Sequence, residues 1–158
     1  MQCHMVEVGD DAPDFALHDG ERNIVTGSEF RGQRVVLAFF PAAFTGVCKD
    51  ELCTFQGSLA RLNAANATVL AISVDAPFAN AAFAEANGVE FPILSDYTRS
   101  TVNAYGVALD DFASMAGYTA SQRAVFIVDE NGDVMWKWVA DSPGEQPDYS
   151  AVLAALSA

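Results

Sequence analysis

Two cysteines five positions apart, Cys48 and Cys53, follow directly on a strongly apolar run in the stretch FFPAAFTGVCKDELCTF, residues 39–55. Thr45 is a plausible N-cap, which puts Cys48 in the first turn of the helix that follows. Unpaired N–H groups and the helix dipole there favour an anion, and a thiol so placed is held as thiolate, the nucleophilic form. Cys53 lies deeper in the same helix, so Cys48 is the better candidate for a reactive thiol. Position alone also suits a small buried hydrophobe, a common role for a free cysteine.

Each element needed to position that thiol can be read nearby. Arg34 to Phe40 is a continuous apolar run closed by Pro41, as expected of a buried strand with a breaker behind it. Leu52, Phe55, Leu59 and Leu62 recur at helical spacing, predicting one helix from Thr45 to about Leu62. Residues 68–75 read as a second buried strand, and FANAAFAEANG as a helix stopped by Gly88. A short strand at 91–96 and a brief helix from about Arg99 to Tyr105 come next. Residues 123–129 and 133–138 flank Asn131-Gly132 and predict a hairpin with a tight primed turn. A last helix runs from about Pro147 to Leu156. The order β-α-β-α-β-α-β-β-α predicts one layered α/β domain over residues 9–158 behind a tail of residues 1–8, with a mixed sheet whose far edge is antiparallel. A strand running into a helix start is where such sheets usually carry their chemistry.

Composition narrows the function. The 158 residues hold 21 acidic against 8 basic side chains, a net charge of −13, and Lys49 and Lys137 are the only lysines. Such a charge repels phosphate backbones and anionic membranes, so neither nucleic acid nor membrane is expected as a partner, while a small neutral substrate is unaffected. The same imbalance resembles that of proteins adapted to high intracellular salt. Three cysteines make a poor disulfide framework, and the N-terminus reads as lacking a signal peptide, so a cytoplasmic location is expected. The two histidines, His4 and His18, precede Cys48, which disfavours Cys–His hydrolysis, and C-x-x-x-x-C is not zinc spacing; no metal or other cofactor is expected.

The pattern Pro41-x-x-x-Thr45-x-x-Cys48 after an apolar strand resembles the active-site motif of the peroxiredoxins. The likeness extends along the chain: Gly9-Asp10-x-Ala12-Pro13-Asp14-Phe15, Leu94-Ser95-Asp96, Ala104-Tyr105-Gly106-Val107 and the strand opening with Arg123 resemble later landmarks in order. Phe44 to Cys48 and the overall spacing look most like the alkyl hydroperoxide reductase E-type branch. The resemblance implies a thioredoxin-like fold, a central mixed sheet with helices on both faces, and a thiol peroxidase acting on hydrogen peroxide and organic hydroperoxides, with peroxynitrite a further substrate to be considered. It implies Cys48 as peroxidatic nucleophile, with Thr45 hydroxyl, Cys48 N–H and Arg123 as donors to the breaking O–O bond. It further implies Pro41 as the thiolate's shield and Glu51 as the partner that orients Arg123. Each has a plainer reading: Thr45 as a cap only, Pro41 as a strand terminator, Glu51 and Arg123 as solvated charges.

The offset from Cys48 to Cys53 matches instead the bacterioferritin-comigratory, or Q-type, branch, where the second cysteine resolves the first. In an intact helix that offset means about 7.5 Å of rise and about 140° of rotation, so the Cα atoms stand roughly 8.7 Å apart. A disulfide needs them within about 7 Å. Resolution by Cys53 therefore requires the helix start to unwind; the alternative is a one-cysteine enzyme in which Cys53 fills space and an outside thiol resolves. Thioredoxin, a glutaredoxin-like protein or a low-molecular-weight thiol is the expected reductant, and the E-type likeness suggests a homodimer. Cys3 precedes the fold. A thioredoxin-type dithiol oxidoreductase, which usually carries C-x-x-C, and a non-catalytic holdase are the rival readings.

Overall fold

The computed structural model describes residues 5–157; Cys3 and His4 lie outside them. The chain forms, in order, β1 (Ala16–His18), β2 (Ile24–Thr26), β3 (Arg34–Phe39), α1 (Gly46–Gly57), α2 (Leu59–Ala64), β4 (Ala67–Ser73), α3 (Pro77–Asn87), β5 (Ile93–Ser95), α4 (Ser100–Tyr105), β6 (Ala108–Leu109), β7 (Ala120–Ser121), β8 (Ala124–Val128), β9 (Val134–Val139) and α5 (Tyr149–Leu156). Seven strands join in one sheet in the order β2-β1-β5-β4-β3-β8-β9, and β6 and β7 pair separately.

The apolar runs lie at the centre, as fully buried strands must when both faces are covered. β3 and β4 are parallel in register Arg34↔Ala67 to Phe39↔Ile72. β8 runs antiparallel to β3, with Phe39 opposite Ala124 and Val35 opposite Val128. Because β8 starts where β3 ends, residue 123 arrives at the same sheet edge as residue 40. Side chains alternate between two cores. Val35, Leu37, Phe39, Ala124, Phe126 and Val128 face one with α4's Val102 and Tyr105. Val36, Ala38, Phe40, Val125 and Ile127 face the other, with residues of α1, α2, α3 and α5. This is the mixed sheet with helices on both faces of the thioredoxin-like fold.

Three expectations are corrected. The helix after Cys48 is broken: α1 ends at Gly57, and Ser58, at φ −99° and ψ 6°, separates it from α2; a Gly-Ser pair is a common site of such kinks. The hairpin turn is not a primed one. Gly132 N–H bonds Asp129 carbonyl, Asp129 N–H bonds Asp133 carbonyl, and Gly132 alone takes a positive φ, 90°, the geometry of a type I turn closed by a glycine bulge. The domain also begins earlier than residue 9, because Val6 is buried and its N–H bonds the Tyr105 carbonyl. The hairpin of β1 and β2 and the β6–β7 pair are elements the sequence pattern did not reveal. No helix of the described residues is long and apolar enough to cross a membrane.

Candidate active site

Past Phe39 the backbone leaves the sheet gradually: Phe40 N–H still bonds the Ile72 carbonyl, and Pro41 is buried at the strand end. The crossing to α1 is pinned by Asp75 at the end of β4, whose Oδ2 accepts the Ala43 N–H at 2.8 Å. Phe44 adopts a left-handed conformation, φ 65°, unfavourable for a bulky residue. Its exposed ring packs edge-on to buried Phe83 at a centroid distance of 5.3 Å. Thr45 holds the N-cap position with extended dihedrals, but its side chain makes no capping bond. Its hydroxyl donates instead to the Ala42 carbonyl at 2.8 Å, so no side chain of the described residues takes up the first N–H groups of α1.

Cys48 stands in that first turn, fully buried. From the opposite side Arg123, at the mouth of β8 and itself only 2% exposed, points its guanidinium at the same spot. Nη2 lies 3.1 Å from Cys48 Sγ, and Nη1 donates to Glu51 Oε1 at 2.7 Å. Nε and Nη2 both donate to the Pro143 carbonyl, at 3.0 and 2.8 Å. The planar fork is thus oriented by contacts at three of its nitrogens, an arrangement a lysine could not reproduce. Arg22, Arg31, Arg34, Arg61 and Arg99, which the sequence could not separate from Arg123 without the family likeness, do not reach the thiol; Arg34, for example, pairs with Glu130, and Arg99 donates to the Thr119 carbonyl.

Glu51 is not a solvated helix charge. It is fully buried, one turn beyond Cys48, and Oε2 accepts no hydrogen bond from the described residues. Burial pushes its pKa from 4.5 up to about 7, against the pull of Arg123. For Arg123, burial works to lower the pKa, but the charges of Glu51 and Cys48 outweigh it and raise the value. One guanidinium serves two buried acids, so pairing does not fully offset what Glu51 loses on leaving water. A carboxyl whose pKa is raised on folding stabilises the fold most fully below its unfolded value, and that contribution is lost as pH rises from about 4.5 to about 7. Urea midpoints measured across that window will therefore fall more steeply for the wild type than for Glu51→Gln; identical slopes would contradict the burial of an ionisable group here.

Cys53 sits apart from this cluster. It is half-buried on the intact α1, with Sγ directed at the Asn87 carbonyl of α3, 3.9 Å away, and both Cys48 and Cys53 are free thiols. The structure thus joins Cys48, Arg123 and Glu51, lays Pro41 and Thr45 on the loop entering α1, and leaves Cys53 facing another helix. Pro143 and Asp75 are the residues sequence reasoning missed. Pro143 contributes a backbone carbonyl, which has no residue-type signature, whereas Asp75 at a strand end could have been suspected.

Comparison with known proteins decides the family: residues 8–137 match the AhpC/TSA family. The chain belongs to that family and is a peroxiredoxin. It is similar to a thiol peroxidase of Corynebacterium glutamicum, 37% identical over 151 residues that cover 96% of this chain and 89% of that protein. It is equally similar to the alkyl hydroperoxide reductase E of Mycobacterium bovis, 38% identical over 160 residues that cover 98% and 100% of the two. Among solved structures, peroxidoxin BcpB from Mycobacterium tuberculosis superposes with a TM-score of 0.86 at 28% identity, over 98% of this chain and 97% of that one. As a peroxiredoxin the chain is an enzyme acting on peroxides.

Proposed function

We propose that this peroxiredoxin reduces hydrogen peroxide and small organic hydroperoxides through Cys48, and that Cys53 resolves the product. The observation that carries the reading is the Arg123 guanidinium 3.1 Å from a fully buried Cys48 sulfur. A thiolate removed from water needs such a fixed cation, and a cation held in place by Glu51 and Pro143 spends nothing on reorganisation when the substrate arrives. The Cys48 thiolate attacks the terminal oxygen of the peroxide; the S–O bond forms as the O–O bond breaks. Sulfur is oxidised to sulfenic acid, and the leaving alkoxide or hydroxide takes a proton to depart as alcohol or water. Arg123, the Cys48 N–H and the Thr45 hydroxyl, once turned from the Ala42 carbonyl, stabilise charge on the two oxygens. Pro41 shields the sulfur from water, and Glu51 orients the guanidinium.

In the second half-reaction the Cys53 thiol attacks the sulfenic sulfur, forming the S–S bond and expelling water. Since Cys53 faces Asn87 on an intact helix, α1 unwinds first; the break at Ser58 confines that unwinding to α1. A cytoplasmic dithiol such as thioredoxin or a glutaredoxin-like protein, or a low-molecular-weight thiol, returns the disulfide to the reduced form, in an enzyme that works as monomer or homodimer.

Intact mass and free-thiol count after one equivalent of hydrogen peroxide test this on wild type and Cys53→Ser. The wild type is expected to lose two thiols as a Cys48–Cys53 disulfide while the variant stops at sulfenic acid. If the wild type also stops at sulfenic acid, Cys53 is a packing residue and an external thiol resolves. If neither protein reacts, the assignment of Cys48 fails.

A further inference from the structure

Cys48 and Glu51 are both acids, both fully buried, and both within 3.1 Å of nitrogens of the same guanidinium. With both ionised, the pocket would hold two negative charges against one positive, and the second Glu51 oxygen, Oε2, would be a buried anion's oxygen without a hydrogen-bond donor among the described residues. Two acids that share one counter-charge do not titrate independently: discharging one favours ionising the other. The remaining titratable groups around Glu51 do not relieve the imbalance. Tyr149 of α5 is held neutral, its pKa raised by burial and then by the charge of Glu51, and Asp50, the neighbour of Glu51 on α1, is exposed and acidic.

We infer that Glu51 stores the proton displaced from Cys48 and gives it up when Cys48 is oxidised, so that the carboxyl is neutral beside the thiolate and ionised beside the sulfenic acid. The inference rests on the reading of Cys48 as the peroxidatic thiol and makes Glu51 a positioning residue that also balances charge. The step is self-contained: Cys48 thiolate, protonated Glu51 and hydrogen peroxide become Cys48 sulfenic acid, ionised Glu51 and water. Sulfur loses two electrons to the peroxide, the O–O bond breaks, and the proton that neutralises the leaving hydroxide is matched by the one Glu51 releases. When the thiolate's charge disappears, Arg123 keeps a full counter-ion in Glu51, so the guanidinium is never left as an unpaired buried cation. The raised Glu51 pKa, about 7, places the exchange within reach of neutral pH.

The test follows protons rather than rate, because any change at Glu51 that disturbs Arg123 would slow the reaction. Reduced Cys53→Ser protein, alone and combined with Glu51→Gln, is mixed with one equivalent of hydrogen peroxide in weak buffer just below neutral pH. An indicator dye reports proton uptake while intact mass reports sulfenic acid. With Glu51 present, sulfenic acid is expected to form with almost no uptake from solvent; with Glu51→Gln, about one proton is taken up for each sulfenic acid formed. Infrared difference spectra of the Cys53→Ser protein provide a readout that does not depend on the folding of the Glu51→Gln variant. A protonated-carboxyl band is expected to vanish on oxidation as a carboxylate band appears. Sulfenic acid formed with equal proton uptake in both proteins, or with no change in the carboxyl band, overturns the inference alone. Absence of sulfenic acid overturns the peroxidatic reading and the inference with it.

Discussion

Replacing Arg123 by methionine will slow oxidation of Cys48 by hydrogen peroxide about 10²–10³-fold, the usual consequence of deleting one donor from an oxyanion-stabilising set. Methionine keeps much of the volume and the apolar contacts but removes every hydrogen bond to Cys48, Glu51 and Pro143. Arg123→Lys restores charge without the fork, cannot serve three partners at once, and is expected to recover only a small part of the rate. Stopped-flow fluorescence suits the measurement, since Trp136 and Trp138 pack against the core that contains Cys48. A rate within a factor of about three of wild type for the methionine variant would remove Arg123 from the mechanism. Stability should respond less than rate. Orphaning a fully buried charge costs about 3–5 kcal/mol, but Glu51, whose pKa burial raises to about 7, carries a proton rather than an unpaired charge once the guanidinium is gone.

The other large effect concerns the scaffold. Phe126 lies in the middle of β8 opposite Leu37, its ring centroid 5.7 Å from that of Phe39 and 5.2 Å from that of Tyr105. It is wholly buried, and its neighbours are held by the sheet on one side and α4 on the other, so they cannot collapse into the gap. Phe126→Ala is expected to lower the unfolding free energy by about 3–5 kcal/mol, a large part of the about 5–15 kcal/mol available to a domain. Urea denaturation followed by circular dichroism will report it as a lower midpoint at unchanged slope. A loss below about 1 kcal/mol would mean that the core rearranges freely around β8.

Much of this fold could be read because its central strands are buried on both faces: residues 34–40, 68–75 and 123–129 announce themselves as apolar runs. β1 and β2, three residues each, and β6 and β7, two each, are too short to establish any alternation. They exist because neighbouring strands and turns hold them. The cluster around Cys48 was legible for a different reason. Cys48, Thr45 and Pro41 form a local motif, and the family likeness singled out Arg123 and Glu51. What no local pattern could reveal is that Glu51 is sealed: its partner is 72 residues away, and burial comes only from tertiary packing. Thr45 falls between these cases, its N-cap position correctly indicated by sequence but its hydroxyl bonded to Ala42 rather than to the helix.

The antiparallel register of β3 and β8 makes the site sensitive to parity. Arg123 reaches Cys48 because it shares a face with Val125 and Ile127, while Ala124 and Phe126 look the opposite way. One residue inserted between Arg123 and Ala124, with the β3–β8 register kept, would turn the guanidinium into the wrong core, and two would restore the face but shift it by a full repeat of the strand, about 6.6 Å. Strand register, as much as residue identity, fixes the geometry around Cys48.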